Sequence, residues 1–418
     1  MTILIRRAHI HSPGAPQDGT IQDILIRNGI IEQIATDISA SADQEIASDG
    51  LHVSPGWVDI FCECGEPGME HRETLETAAA AAAAGGFTHL FVLPNTRPVV
   101  HDRSLVEYIR NRQVSAPVTL HPIGAVTRNT EGRELAEMYD MHAGGAVAFS
   151  DGTHPVQSPG ILIKALQYVK AFDGLLIQVP DDRSVAPNGL MHEGVVSTRM
   201  GLLGKPALAE ELIIARDIKL TRYAGSRLHF TGVSLPKSLE YISRAKAGGT
   251  DITCSVTPQH LFFTDADIEG YDTNLKMNPP LRPESDRQAL LQAVLDGTVD
   301  CISSHHAPRD RDHKECEFAY AEPGMSGLES VFRVLCTLDI PLHRILETIC
   351  FNPRKIFKLP AGSITEGAPA DITIFSPSGQ HLFSKADIRS RSANNPFLGR
   401  ELKGRVLGVV KNTGYYRG

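Results

Sequence analysis

The chain has 418 residues, 42% of them hydrophobic and 22% charged, with a formal net charge of −8. That length and composition fit a globular protein with one large domain and a smaller one. The acidic balance offers no basic stripe for nucleic acid, and no apolar run approaches the roughly 20 residues that span a bilayer.

From the N-terminus, Ile3–Arg6, Ile24–Arg27 and Gly29–Ile34 read as short strands separated by turn-formers such as Ser12-Pro-Gly-Ala-Pro16. The C-terminus reads the same way, with strands over Ala370–Phe375 and Gly404–Val410. The two ends are expected to pair into one composite β-sandwich domain, 1–54 with 355–418. Between them, 55–354 alternates apolar runs with helical patterns. The runs are Trp57–Phe61, His89–Leu93, Val118–Ala125, Ala146–Ser150, Gly174–Val179, Arg227–Val233, Ile252–Val256 and Asp300–Ser304. Continuous apolar runs with helices between them indicate a parallel sheet covered on its faces. Eight of them predict an α/β fold, a (β/α)8 barrel of the TIM type. Ala78–Ala84 followed by Gly85-Gly86 reads as a close-packed helix and its stop. Seven scattered Cys fit reduced thiols, and the N-terminus shows no signal peptide, so a cytoplasmic location is expected.

Chemistry in such barrels sits at the C-terminal ends of the strands. The first run ends in Phe61-Cys62-Glu63, where a metal-dependent barrel hydrolase would carry a His-x-His pair, and Phe cannot bind a metal. The other donors at strand ends are Asp151, His305 and His306, with Glu66, His154 and Asp181 in reserve. A rebuilt metal site would use Glu63, Asp151, His305 and His306. Adjacent strand residues point to opposite faces, so His305 and His306 face inward together only if the strand has ended. The same rule puts Cys62 and Cys64 behind the barrel when Phe61 and Glu63 face inward. Asn95, Asn278 and Arg309 are candidates for holding a small ligand, since an amide offers donor and acceptor and guanidinium a fork for a carboxylate.

Ser54-Pro-Gly-Trp-Val-Asp59, Glu66-Pro-Gly-Met-Glu-His-Arg72, Leu93-Pro-Asn-Thr96, Phe149-Ser-Asp151, Asn278-Pro-Pro-Leu-Arg282, His306-Ala-Pro308 and Asn352-Pro-Arg-Lys-Ile-Phe357 resemble dihydroorotase of the amidohydrolase superfamily. The resemblance covers nearly the whole chain. It implies a TIM barrel with a composite β-sandwich, zinc, and the reversible ring closure of carbamoyl-aspartate to dihydroorotate. Carried over residue by residue, the first-strand His pair falls on Phe61 and Glu63, and the Arg that would hold the substrate carboxylate falls on Gly65. The fourth-strand ligand falls on Asp151 and survives. The fifth-strand His falls on Val179, the sixth on Gly232 with His229 three positions early, and the eighth-strand Asp, both ligand and general base, on His305. The paired residues after the seventh strand are Gln259 and His260. Asn95 and Asn278 stand at substrate-binding positions. Five of the six metal-ligand positions have changed.

The resemblance therefore implies a catalytically inactive homologue with no metal likely, acting by binding. It points to aspartate transcarbamoylase as a partner and to a homodimer. Two alternatives stand beside it. One is an active cyclic-amide hydrolase with zinc on the rebuilt site. The other is a metal-free protein that holds a pyrimidine-like ligand with Asn95, Asn278 and Arg309.

Overall fold

The computed structural model describes residues 1–112 and 114–418. Its strands are, in order, β1 Thr2–Ile10, β2 Ile21–Arg27, β3 Ile30–Ala35, β4 Gln44–Ile46, β5 His52–Pro55, β6 Trp57–Cys62, β7 Phe87–Val92, β8 Thr119–Gly124 and β9 Ala148–Phe149. They continue with β10 Leu176–Gln178, β11 Met191–His192, β12 Gly204–Lys205, β13 Leu228–Thr231, β14 Ile252–Val256, β15 Cys301–Ile302, β16 Asp371–Leu382, β17 Glu401–Lys411 and β18 Gly414–Arg417.

The eight apolar runs become one parallel sheet in the order β15-β14-β13-β10-β9-β8-β7-β6. The circle closes beyond its last ladder. Cys62 bridges His306 in parallel, and the Glu63 N–H donates to the His306 carbonyl at 2.9 Å. Beyond β15 the Ser303 N–H still donates to the Val256 carbonyl at 3.0 Å, and Asp59 takes the following group, the Ser304 N–H donating to its Oδ1 at 2.7 Å. The strands from both chain ends form a second sheet, β18-β17-β16-β5-β1-β2-β3, with β4 beside β1.

The Ala-rich segment is a helix, Leu75–Ala84. Thr74 caps its start, its hydroxyl accepting from the Thr77 N–H at 3.1 Å. Small side chains let the helix lie close to the barrel, and Ala78, Ala79 and Ala81–Ala83 are fully buried. Gly86 follows at φ +92°, where a Cβ would sit 2.5 Å from the Trp57 ring. Among the described residues, no helix is long and apolar enough to cross a membrane.

A buried charge network joins sheet to barrel. Arg354 donates to the Gly56 carbonyl at 2.6 Å and to Asp371 Oδ2 at 2.8 Å, while the Thr88 hydroxyl donates to Asp371 Oδ1 at 2.6 Å. Burial pushes the Asp371 carboxyl up. The hydrogen bond with His89 and the charges of Lys411 and Arg354 outweigh it and hold it well below the usual carboxylate range. Leaving one member of such a network uncompensated costs about 3–5 kcal/mol. Arg354→Leu is therefore expected to lower stability by about that amount in guanidinium unfolding. Asp371 contributes above its ordinary pKa of about 3.9 and loses only as pH falls through its depressed folded value, so the deficit should hold between about pH 5 and 7. A loss below about 1 kcal/mol, within the range of an ordinary surface change, would contradict this.

Candidate functional site

The C-terminal ends of the barrel strands surround a cavity of about 220 Å³. Its apolar wall is Phe61, Leu93, Val179 and Met277; its polar groups include Glu63, His154, Arg183, Asn278, His305 and Arg309. Phe61 and Glu63 project from the end of β6 into this space, while Cys62 and Cys64 are buried behind it.

Three positions where metal ligands are expected form a packed unit instead. The Phe61 and His305 rings stack at 4.4 Å and 27°. His305 Nε2 lies 2.7 Å from the Thr231 hydroxyl. Gly232 follows β13 at φ +72°, and a Cβ there would come within 2.7 Å of His305 Cε1. The strand has ended before the two histidines, with His305 itself at φ 46°, and both line the cavity.

The remaining donors are engaged. Glu63 accepts two hydrogen bonds from the Arg309 guanidinium, at 2.7 and 3.0 Å. Burial works against the Arg309 charge, but Glu63 and Glu322 more than offset it and raise its pKa. Asp151 accepts from the Val126 and Thr127 N–H groups at 2.9 and 2.8 Å and from the Thr127 hydroxyl at 2.5 Å. Burial raises its pKa to about 6. His306 Nδ1 accepts from the Gly327 N–H at 3.1 Å and its Nε2 faces Glu73 at 3.3 Å. Glu66, held in reserve by the sequence reading, accepts from the Leu75 N–H at the start of the Ala-rich helix, at 2.9 Å, and from the Tyr108 hydroxyl at 2.8 Å.

The rebuilt set Glu63, Asp151, His305 and His306 is thus not assembled as a site. Among the described residues, ligand atoms of three His, Cys, Asp or Glu converge only at His9, His11 and His52, outside the cavity. The donors present at the barrel mouth do not fit a zinc ion as they stand. His229, the near miss on the sixth strand, points into the barrel interior between Thr253 and Ser255, at 2.8 and 3.1 Å.

The ligand-holding candidates divide. Asn278 lines the cavity, with its Oδ1 accepting from Lys205 Nζ at 2.9 Å and its Nδ2 donating to Asp181 Oδ2 at 3.2 Å. Lys205 closes the triad on Asp181 at 2.6 Å. Sequence reasoning missed Lys205; its only signal was a cation in Gly204-Lys-Pro206, which nothing local ties to Asn278. Arg309 lines the cavity too, but its fork already holds Glu63. Asn95 faces an adjoining cleft rather than the cavity. Its Nδ2 donates to the Asp151 carbonyl at 3.1 Å and its Oδ1 accepts from the Thr153 N–H at 3.2 Å, so it clamps the loop after β9.

Two of the buried imidazoles, His305 and His260, are weak bases. Burial drives His305 down to about 3 and His260 to about 4. His260 donates Nε2–H to the Pro279 carbonyl at 3.0 Å and accepts from the Thr257 hydroxyl at 2.6 Å. A general base works best with a pKa near the working pH, and neither ring meets that condition.

With this geometry in view, the relatives are informative. The Dihydro-orotase-like family profile matches residues 50–238, and the Amidohydrolase family profile matches 186–413. A dihydroorotase of Pelotomaculum thermopropionicum is 39% identical over 97% of this chain and 96% of its own. The chain belongs to the dihydroorotase-like branch of the amidohydrolase family. A dihydroorotase of Syntrophus aciditrophicus is 37% identical, covering 97% of each chain. The fold matches the L-hydantoinase (dihydropyrimidinase) of Arthrobacter aurescens with a TM-score of 0.86 and 23% identity, over 99% of this chain and 95% of that one.

The Phe61–His305–Gly232 unit makes a specific claim about coupling. Gly232→Ala should destabilise the chain by about 1–3 kcal/mol through crowding and left-handed backbone strain. Part of that cost should vanish in a His305→Ala background, with a coupling of about 1 kcal/mol or more in a double-mutant cycle. Strict additivity would show that the ring does not occupy this space.

Proposed function

We propose that this chain is a dihydroorotase homologue that binds rather than hydrolyses. Its cavity takes a small pyrimidine-related molecule, and the protein acts in pyrimidine biosynthesis as a homodimer in association with aspartate transcarbamoylase. The observation that carries this reading is the fate of the family's metal positions. Phe61, Val179 and Gly232 offer no side-chain donor, and Glu63 is committed to Arg309. In a zinc hydrolase the ion binds a water and lowers its pKa toward neutral; a site without ligands lacks both the ion's binding energy and the nucleophile. Burial drives His305 and His260 well below neutral, and His306 is held by Glu73 and the Gly327 N–H, so these rings are not set up to activate a water in the ion's place. What remains suits recognition, with an apolar wall, the Asn278 amide and the Arg183 guanidinium in one enclosed space.

A second reading is favoured by a different observation: the curated relatives bear the name dihydroorotase at 39% and 37% identity over nearly the full chain. On this reading the protein closes carbamoyl-aspartate to dihydroorotate with zinc, and Glu63 leaves Arg309 to become a ligand.

The two readings separate in one assay. Tag-free protein supplied with zinc is tested for ring opening of dihydroorotate and for the reverse closure. The binding reading expects rates indistinguishable from a blank and from Glu63→Ala. Metal-dependent turnover that Glu63→Ala and Asp151→Ala abolish would overturn it and establish the hydrolase. The binding reading also expects a pyrimidine intermediate to raise the melting temperature, since a ligand at 100 times its Kd adds about 2.7 kcal/mol.

A further inference from the structure

Three histidines stand together on the chain-end sheet, upstream of the strand whose far end carries Glu63. His9 and His11 are two residues apart along an extended segment, so they share a face. His52 of β5 is the parallel register partner of His9. One ligand nitrogen from each lies within 4.8 Å of the other two. The tightest approach is His11 Nε2 to His52 Nδ1, at 2.8 Å, with the rings stacked at 5.1 Å and 10°. His9 donates Nε2–H to the Gly19 carbonyl at 3.1 Å, which leaves its Nδ1 with a free lone pair. All three rings are half-buried. Phe375 packs on His11 and His52, at 6.2 and 5.7 Å between ring centres, and supplies an apolar floor.

We infer that His9, His11 and His52 bind one divalent transition-metal ion of the zinc class. Neutral imidazole suits Zn²⁺, Cu²⁺ and Ni²⁺, and not the hard cations that prefer oxygen. Zn–N bonds of about 2.0–2.1 Å in a tetrahedron place ligand nitrogens about 3.3 Å apart. His11 and His52 now share one hydrogen bond; to meet that spacing they give up its proton, part by about half an ångström and turn both lone pairs toward a common point. The Gly19 carbonyl already does for His9 what metal-binding imidazoles commonly require, holding the second N–H and fixing the tautomer. A cleft lined by His11 and Asp18 lies beside the cluster. Asp18 Oδ1 is taken by the Ser12 N–H at 2.7 Å, and a water completes the set.

The site is independent of the reading given for the cavity, and its test keeps the two apart. Tag-free full-length protein is stripped with a chelator and dialysed. It is then titrated with Zn²⁺ against a chromophoric competitor, and with Co²⁺ for its visible spectrum. The expected result is one equivalent of Zn²⁺ and a four-coordinate Co²⁺ spectrum that Zn²⁺ displaces. His11→Gln and His52→Gln should each weaken Zn²⁺ binding at least about tenfold, whereas Glu63→Gln and His305→Gln in the cavity should leave it unchanged. Far-UV circular dichroism checks that the variants fold; if a sheet variant does not, the wild-type Co²⁺ spectrum decides. A spectrum of six-coordinate aqueous Co²⁺, uptake no greater than in a His9→Gln/His52→Gln variant, or metal lost with the cavity variants and kept by the sheet variants would overturn the assignment.

Discussion

A carboxylate held out of bulk water must be neutralised where it sits, and at the barrel mouth Glu63 meets Arg309 through two hydrogen bonds of 2.7 and 3.0 Å. In a metal-dependent barrel the cation performs that neutralisation and also supplies the chemistry. Here a guanidinium performs the first task alone. It is always protonated and has no empty orbital to polarise a water, so the charge balance at the mouth is met by a group with no hydrolytic capacity of its own. The pair also fixes Arg309 between Glu63 and Glu322, the latter 3.1 Å from its Nε, and so ties the loop after β15 to the end of β6.

The other acidic groups near the mouth serve the scaffold. Asp59 accepts from both the backbone and the hydroxyl of Ser304, at 2.7 and 2.9 Å, and draws β15 to β6. Asp151 gathers the loop after β8, and Asn95 gathers the loop after β9. Buried carboxylates paid for in desolvation are kept only when several donors converge on them, and each of these has its donors. The consequence is a rigid rim: the side chains that would have to swing inward to make a metal site are the same ones that hold the loops in place.

The fold was legible because its signal is local. Each barrel strand is a short apolar run, and the Ala block between Thr74 and Gly85 carries its own cap and stop. The emptied positions were legible as well, since Phe61, Val179 and Gly232 offer no donor whatever their surroundings. The pairings were not. Glu63 and Arg309 are 246 residues apart, and Lys205 and Asn278 are 73 apart. Nothing within either neighbourhood names its partner. For the same reason Arg309 and Asn95 read as free ligand-binding groups, whereas the fold spends the first on Glu63 and the second on the loop after β9. The three histidines were hidden differently: His9-x-His11 and His52 lie outside every motif and strand read from the sequence, and only the parallel register of β1 and β5 brings them together.

The close fit between Gly232 and the His305 ring also ties the two positions together. With the imidazole in place, a side chain at position 232 crowds the ring; with position 232 occupied, the ring has to shift from its place over Phe61. Substitutions at these positions are therefore linked, not independent. A new side chain at any one of 61, 232 or 305 has to be accommodated by the other two, so the mouth of the barrel changes as a unit and not residue by residue.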